Sequence, residues 1–305
     1  MKKTVIGSGV YMLDIIVVRE YPEWPALRPF TDRTVLEEVG GTCGNVMCML
    51  SWLGWKAMAQ ACLDDSPEGL KMTLDLLRYG CDCRYVTNAP DGGTTLLRCT
   101  HKRDADGRKK IAFRAGSPGG SRFPKHHYLR AKDEAPAFLE SVADAPGVYF
   151  FDDPAAGHRL IARVLREQGS VVYFEPSKIA TKADLEAVEA SDIVKFSGEN
   201  IPDMSFTDRF DDKLFVQTLG AEGLRFRLRG GGWTVVPPVA CEEVVDWEGA
   251  GDWTTSAFLN RLAELDKPFA EFTEQDVAEA LAAAQVTAAK SVRYLSSKGM
   301  IHSEA

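Results

Sequence analysis

Asp246-Trp247-Glu248-Gly249-Ala250-Gly251-Asp252, running into the stretch 253–265, is the segment whose reading decides the fold. Small residues precede an acid where a helix pattern starts. Two glycines let backbone N–H groups approach an anion, and a helix N-terminus favours negative charge. An anion held on the amides of Gly249, Ala250 and Gly251 would lie beside Asp252. That carboxylate could then accept a proton from an incoming hydroxyl. The plainer alternative is a glycine turn in which Asp252 only caps the helix.

Outward from this segment, three further glycine-bearing stretches ask for the same ligand. Gly40-Gly41-Thr-Cys-Gly-Asn45 opens a second helix pattern that ends at Gly54. Asn45 there offers two donors and an acceptor to hydroxyl groups, or serves as that helix's cap. Gly7-Ser-Gly9 follows a first strand and precedes Asp14, a carboxylate suited to accepting two sugar hydroxyls or to solvation at a strand end. Thr218-Leu-Gly220-Ala-Glu-Gly223 follows a strand run. It reads as a nucleotide-binding turn or as an ordinary strand-to-strand connection.

Short apolar runs alternate with helix patterns through most of the chain. Strands are expected over 4–10, 56–63, 147–152, 171–174, 192–196 and 214–219. Helices are expected over 44–53 and 157–168, after the Ser66-Pro-Glu start, and as one or two Ala-rich helices over 274–295. This order predicts an α/β fold: a mainly parallel central sheet with helices on both faces. Two segments, 15–39 and 94–115, are β-like but lack a helix. The first surrounds a loop with Pro22, Pro25 and Pro29, and the second contains the hairpin turn Asp104-Ala-Asp-Gly107. They are expected to form a small β-sheet lid over the strand ends of a single domain spanning 1–305.

Composition narrows the function. The 305 residues carry a net charge of −8 with no long basic run, which argues against a nucleic-acid partner. No apolar run spans a bilayer, and Asp14, Arg19 and Glu20 break the N-terminal stretch early, so neither a membrane nor a signal segment is expected. Seven cysteines without a CxxC pair suggest reduced core residues of a cytoplasmic protein. Met12 stands where G-x-G-x-x-G needs its third glycine, so a nicotinamide dehydrogenase is disfavoured, and the sequence holds no Walker A motif. Arg225, Arg227 and Arg229 alternate with apolar residues and read as a strand with a solvated basic face.

Taken in order, these motifs resemble the ribokinase-like, PfkB-type carbohydrate kinases over nearly the whole chain. The resemblance rests on the Gly9/Asp14 start, the Gly-Gly-x-x-x-Asn helix, the lid hairpin, Asp192-Ile-Val-Lys195, the Thr218–Gly223 turn and the GAGD helix. It implies a ribokinase-like fold and transfer of the γ-phosphate of ATP to a sugar or sugar-like hydroxyl. Asp252 would be the general base, with Gly249, Ala250 and Gly251 as the anion hole. Asp14, Gly41 and Asn45 would bind the acceptor, and Thr218, Gly220 and Gly223 the nucleotide. It further implies Mg²⁺ near Glu199, a monovalent cation near Asp246 and a homodimer joined through the lids. The sequence also departs from the family: Trp247 and Glu248 replace a threonine and a small residue, Trp253 and Thr254 follow Asp252, and Cys43 and Met47 flank Asn45. The acid of the usual Asn-x-x-Glu falls one place early, at Glu199. A nucleoside kinase, or a kinase-fold protein that binds without efficient turnover, is the alternative.

Overall fold

A computed structural model of the chain describes residues 1–22, 28–89, 93–118, 126–241 and 243–304. The loop around Pro25 lies outside the described residues. The central sheet begins with β1 (Thr4–Ser8), β4 (Lys56–Leu63), β5 (Asp82–Asn88), β8 (Val148–Phe151), β9 (Val171–Phe174), β10 (Ile193–Ser197) and β11 (Leu214–Thr218), all parallel. It is completed by β12 (Leu224–Leu228) and β13 (Trp233–Val236), which pair antiparallel at the β11 edge. The strand order is β13-β12-β11-β10-β9-β8-β1-β4-β5.

Successive strand residues face opposite sides, so each strand feeds two cores. On one face Val5, Ala57, Phe150 and Val216 pack with α1 (Thr42–Trp52), α2 (Pro67–Arg78), α6 (Ala250–Glu264) and α7 (Glu274–Ser291). On the other, Ile6, Tyr149, Phe151 and Phe215 pack with α3 (Glu134–Ser141), α4 (Ala156–Glu167) and α5 (Lys182–Glu189). Strands buried on both faces read as continuous apolar runs, which is why the sequence marked them so clearly.

The two β-like segments meet in a second, four-stranded sheet of order β3-β2-β6-β7. Its strands are β2 (Met12–Glu20), β3 (Thr31–Gly40), β6 (Leu96–Arg103) and β7 (Lys109–Gly116). Asp104 accepts the Gly107 N–H at 3.0 Å to close the β6–β7 hairpin, and Gly107 takes the positive φ the turn needs.

The alternating arginines differ from expectation. Arg227 is buried, with its guanidinium on the Thr207 and Phe210 carbonyls and on Asp208, and Arg225 donates to Gln217 at 2.7 Å. As the penultimate strand, β12 has one of its faces covered, so these charges bond to protein instead of water. The residues 274–295 give one helix, α7, before a tight turn. All seven cysteines are free. Among the described residues, no helix is long and apolar enough to cross a membrane.

Candidate active site

Residue 249 needs the left-handed conformation (φ 78°) to turn the chain into α6, and a Cβ there would lie 2.4 Å from Ser297 Cβ; only glycine satisfies both. The first amides of a helix lack intrahelical acceptors. The Ala250 N–H turns back to the Trp247 carbonyl at 3.3 Å, so the amides of Gly251 and Asp252 lead the N-terminus. Lys195, on β10, is buried beneath this turn, its Nζ 3.7 Å from where a Gly251 Cβ would sit, and it pairs with Glu175. Thr255 holds the other Glu175 oxygen at 2.6 Å.

The Asp252 side chain, in the first turn of α6, accepts a 2.8 Å hydrogen bond from Asn45 Nδ2. Asn45 is therefore not a cap: Gly41 caps α1, and Asn45 lies inside its first turn, with its N–H on the Gly41 carbonyl at 2.8 Å. Burial, and then the Glu175 charge, push the Asp252 carboxyl up to about 7. Lys195, the Asn45 bond and Lys298 oppose that rise. A carboxylate poised near neutrality suits a general base.

Asp14, on β2, is buried, and its Oδ1 has no hydrogen-bond partner. Desolvation holds its carboxyl well above the usual range. Lys298 opposes the rise, while Glu248, Glu38 and Asp252 add to it. Its place explains Gly40, because a Cβ there would fall 1.6 Å from Asp14 Oδ2. Glu248 is partly buried: Oε1 accepts the Cys99 thiol at 3.2 Å, Oε2 is unpartnered, and burial pushes its carboxyl up to about 7. Buried polar atoms without partners are uncommon, and here the Asp14 carboxyl that carries one feels the charges of both Glu248, which carries another, and Asp252.

Asp246 serves the loop itself. Its two oxygens accept the Glu248 and Ser296 N–H groups at 3.0 and 2.9 Å, and His101 Nε2 stands 3.4 Å away. The carboxylate is thus already engaged in bracing the turn.

On the far side of α6 lies a cleft of about 1000 Å³. Thr218, Gly220 and Gly223 line one wall, Gln285, Ala288 and Ala289 of α7 with the Val292 that follows it another, and Gly251 and Thr254 its inner end. Val239, Val244 and Trp247, all large apolar side chains 39–46% exposed, stand around it. Exposed apolar groups gathered at a concave surface mark a ligand slot. Glu199, exposed at the same cleft, has an oxygen-donor side chain of the kind a hard divalent cation takes through water.

Sequence reasoning placed Asp252, Asn45 and Asp14 in one site and the 218–223 turn in the neighbouring cleft. It missed Lys298, Glu175 and the site role of Lys195. Lys195 stood within a quoted motif; Lys298 sits in Ser-Ser-Lys-Gly, which carries no recognisable signature.

The pfkB family carbohydrate kinase model matches residues 5–303, and the chain belongs to this family. No curated protein matches it. Among solved structures, the chain is similar to a fructokinase with bound ATP from Xylella fastidiosa (TM-score 0.71, 17% identity, 97% of this chain and 94% of that one). It is similar also to a microbiome-derived acarbose kinase, Mak1 (0.73, 18%, 97% and 94%). A third is a Burkholderia thailandensis nucleoside kinase in complex with inosine (0.65, 18%, 97% and 92%). At these identities the likeness establishes the ribokinase-like fold, and the acceptors in those names are too diverse to choose one for this chain.

Proposed function

We propose that this chain is an ATP-dependent kinase that phosphorylates a hydroxyl of a neutral or cationic sugar-like acceptor, with Asp252 as general base. The observation that carries this reading is the Asn45–Asp252 hydrogen bond at the N-terminus of α6, where a base, helix amides and Lys195 adjoin a nucleotide-sized cleft. The nucleotide base would lie between Val239, Val244 and α7, with the triphosphate running over the 218–223 turn toward the Gly251 amide. Glu199 would hold Mg²⁺, which neutralises charge on the phosphates when bound. Asp252 removes the acceptor proton, and the helix amides with Lys195 stabilise charge on the transferring group.

The acceptor class follows from charge. Asp14, Glu38, Glu248 and Asp252 crowd this side, and Lys298 is the ammonium among them. A phosphorylated sugar or sugar acid would meet several carboxylates, whereas hydroxyls or an amine would satisfy the free oxygens of Asp14 and Glu248. Because Asp14 and Asn45 are 2% and 4% exposed, the smaller sheet, which supplies Asp14 and Cys99, must act as a lid that moves to admit the acceptor. The test is ATP consumption against neutral sugars, polyols, amino sugars, nucleosides, sugar acids and sugar phosphates. Turnover confined to the last two classes would refute the acceptor assignment. Simultaneous sugar and ATP binding without transfer to any acceptor would favour a binding protein.

A further inference from the structure

Lys298 is fully buried, and its ammonium donates to Asn45 Oδ1 at 2.6 Å and to Ser297 Oγ at 2.9 Å. Ser297 Oγ in turn donates to the same Asn45 oxygen at 3.0 Å. Both lone pairs of that oxygen are thus occupied, and Asn45 has no acceptor left for a substrate hydroxyl. We propose that Lys298 is a positioning residue for the base: by holding the amide oxygen of Asn45, it turns the amide nitrogen onto Asp252. The proposal rests on the kinase reading above.

The orientation is fixed from both ends. A flipped amide would set its oxygen against the Asp252 carboxylate and its NH₂ against the ammonium, two repulsive contacts in place of two attractive ones. The lysine is anchored as well. Glu38 Oε1 lies 3.5 Å from Nζ, and Glu38 Oε2 is held by Tyr79 at 2.7 Å and His302 at 3.0 Å. The neighbouring backbone makes two further ties around the same turn: the Ser296 N–H to Asp246, and the Ser297 carbonyl to the Trp253 indole at 2.8 Å. Residues 296–298 thus clasp the loop, the helix and the base's hydrogen-bond donor together. The other groups facing Asp252 are Glu175, Lys195, Asp14 and the Cys43 thiol.

The experiment is the pH profile of kcat/KM for the full-length parent, Lys298→Met, Asn45→Ala and the double variant. Methionine keeps the unbranched stem and removes donor and charge. Lys298→Met should move the acid limb upward by about one pH unit. That is roughly a 10-fold loss below the limb and a much smaller loss above it. In the Asn45→Ala background the same substitution should move the limb clearly less than in the parent, the remainder being the direct charge of Lys298 on Asp252. An equal loss at every pH would mean a purely structural role, and full additivity would mean action by charge alone; either overturns the proposal. If Lys298→Met does not fold, Lys298→Gln takes its place in the same pH profiles, and ¹⁵N NMR of the parent checks the contact through which the lysine acts. The Asn45 side-chain amide should shift with a midpoint near 7, and should not in Asp252→Asn; an amide blind to that titration overturns the proposal. A parent that transfers phosphate to no acceptor sinks the kinase reading, yet this NMR measurement still reports the Asn45–Asp252 geometry.

Discussion

The two sides of α6 are built on opposite plans. The side proposed for the nucleotide is an open cleft of about 1000 Å³ walled by glycine, alanine and valine, with few charges. The side proposed for the acceptor is closed and crowded with ionisable groups: Asp14, Glu38, Glu248, Asp252 and Lys298. A slot of small residues asks of its ligand only flatness and a phosphate tail. A closed cluster of carboxylates with unpartnered oxygens demands a defined set of hydroxyl or amine donors. On the proposed function, selectivity would reside on the acceptor side, because leaving those oxygens unpaired is what penalises a wrong ligand.

The comparison breaks first, and most severely, at the residue both sides share. Asp252→Asn keeps the shape and the Asn45 neighbour but cannot take a hydroxyl proton. Single-turnover transfer should fall ~10²–10⁴-fold, while ATP affinity by calorimetry stays near the parent's, since the helix amides are backbone groups. Parent-like turnover would remove Asp252 from the mechanism.

The next pair separates the sides. Asp14→Ala removes a buried carboxylate whose free Oδ1 awaits a donor. It should raise the acceptor KM about 10–100-fold, the cost of leaving a buried hydrogen-bonding group of the ligand unpaired, with nucleotide binding nearly intact. Ala289→Phe, which pushes a ring into the cleft from α7, should do the reverse, raising the ATP KM about 10-fold and sparing acceptor binding. Equal losses of both affinities in either variant would show that the two sides are not independent.

The contrast also explains what could be read from the sequence. The fold was legible because its doubly buried strands are unbroken apolar runs and its helices carry clear stops, such as Gly54 and Gly80. The turn proposed for the nucleotide is one contiguous stretch, residues 218–223, which is why the sequence alone could offer it as a candidate. The acceptor side comes from β2, α1, β6, the 246–249 loop and residues 296–298, and no local pattern links Asn45 to Lys298, 253 positions away. Glu248 stood out as a departure from the family pattern, but its buried contact with Cys99 depends on the pairing of β6 in the second sheet. In α2 the spacing alone does not tell the core face: Leu70, Leu74 and Leu77 share a helical spacing yet are 52–65% exposed, while Met72 and Leu76 face the core.

The smallest effect sharpens the comparison in stability rather than rate. Burial pushes the Glu248 carboxyl up to about 7 from the 4.5 of a free side chain. A raised carboxyl pKa means that the folded state favours the protonated form. The cost of ionising it is absent below about pH 4.5, grows as pH rises toward 7, and is complete above that. Glu248→Gln is a neutral stand-in for the protonated acid. It should therefore stabilise the fold at pH 8 by about 1–3 kcal/mol, allowing for the part of the side chain that water still reaches, and change nothing near pH 4. Thermal unfolding of parent and variant at both pH values measures this. A gain of equal size at the two pH values would show that the substitution acts through packing and that Glu248 is not held above its ordinary range. Saturating acceptor should shrink the gain at pH 8 if hydroxyls or an amine satisfy Oε2, because the bound ligand then relieves in the parent what glutamine relieves in the variant.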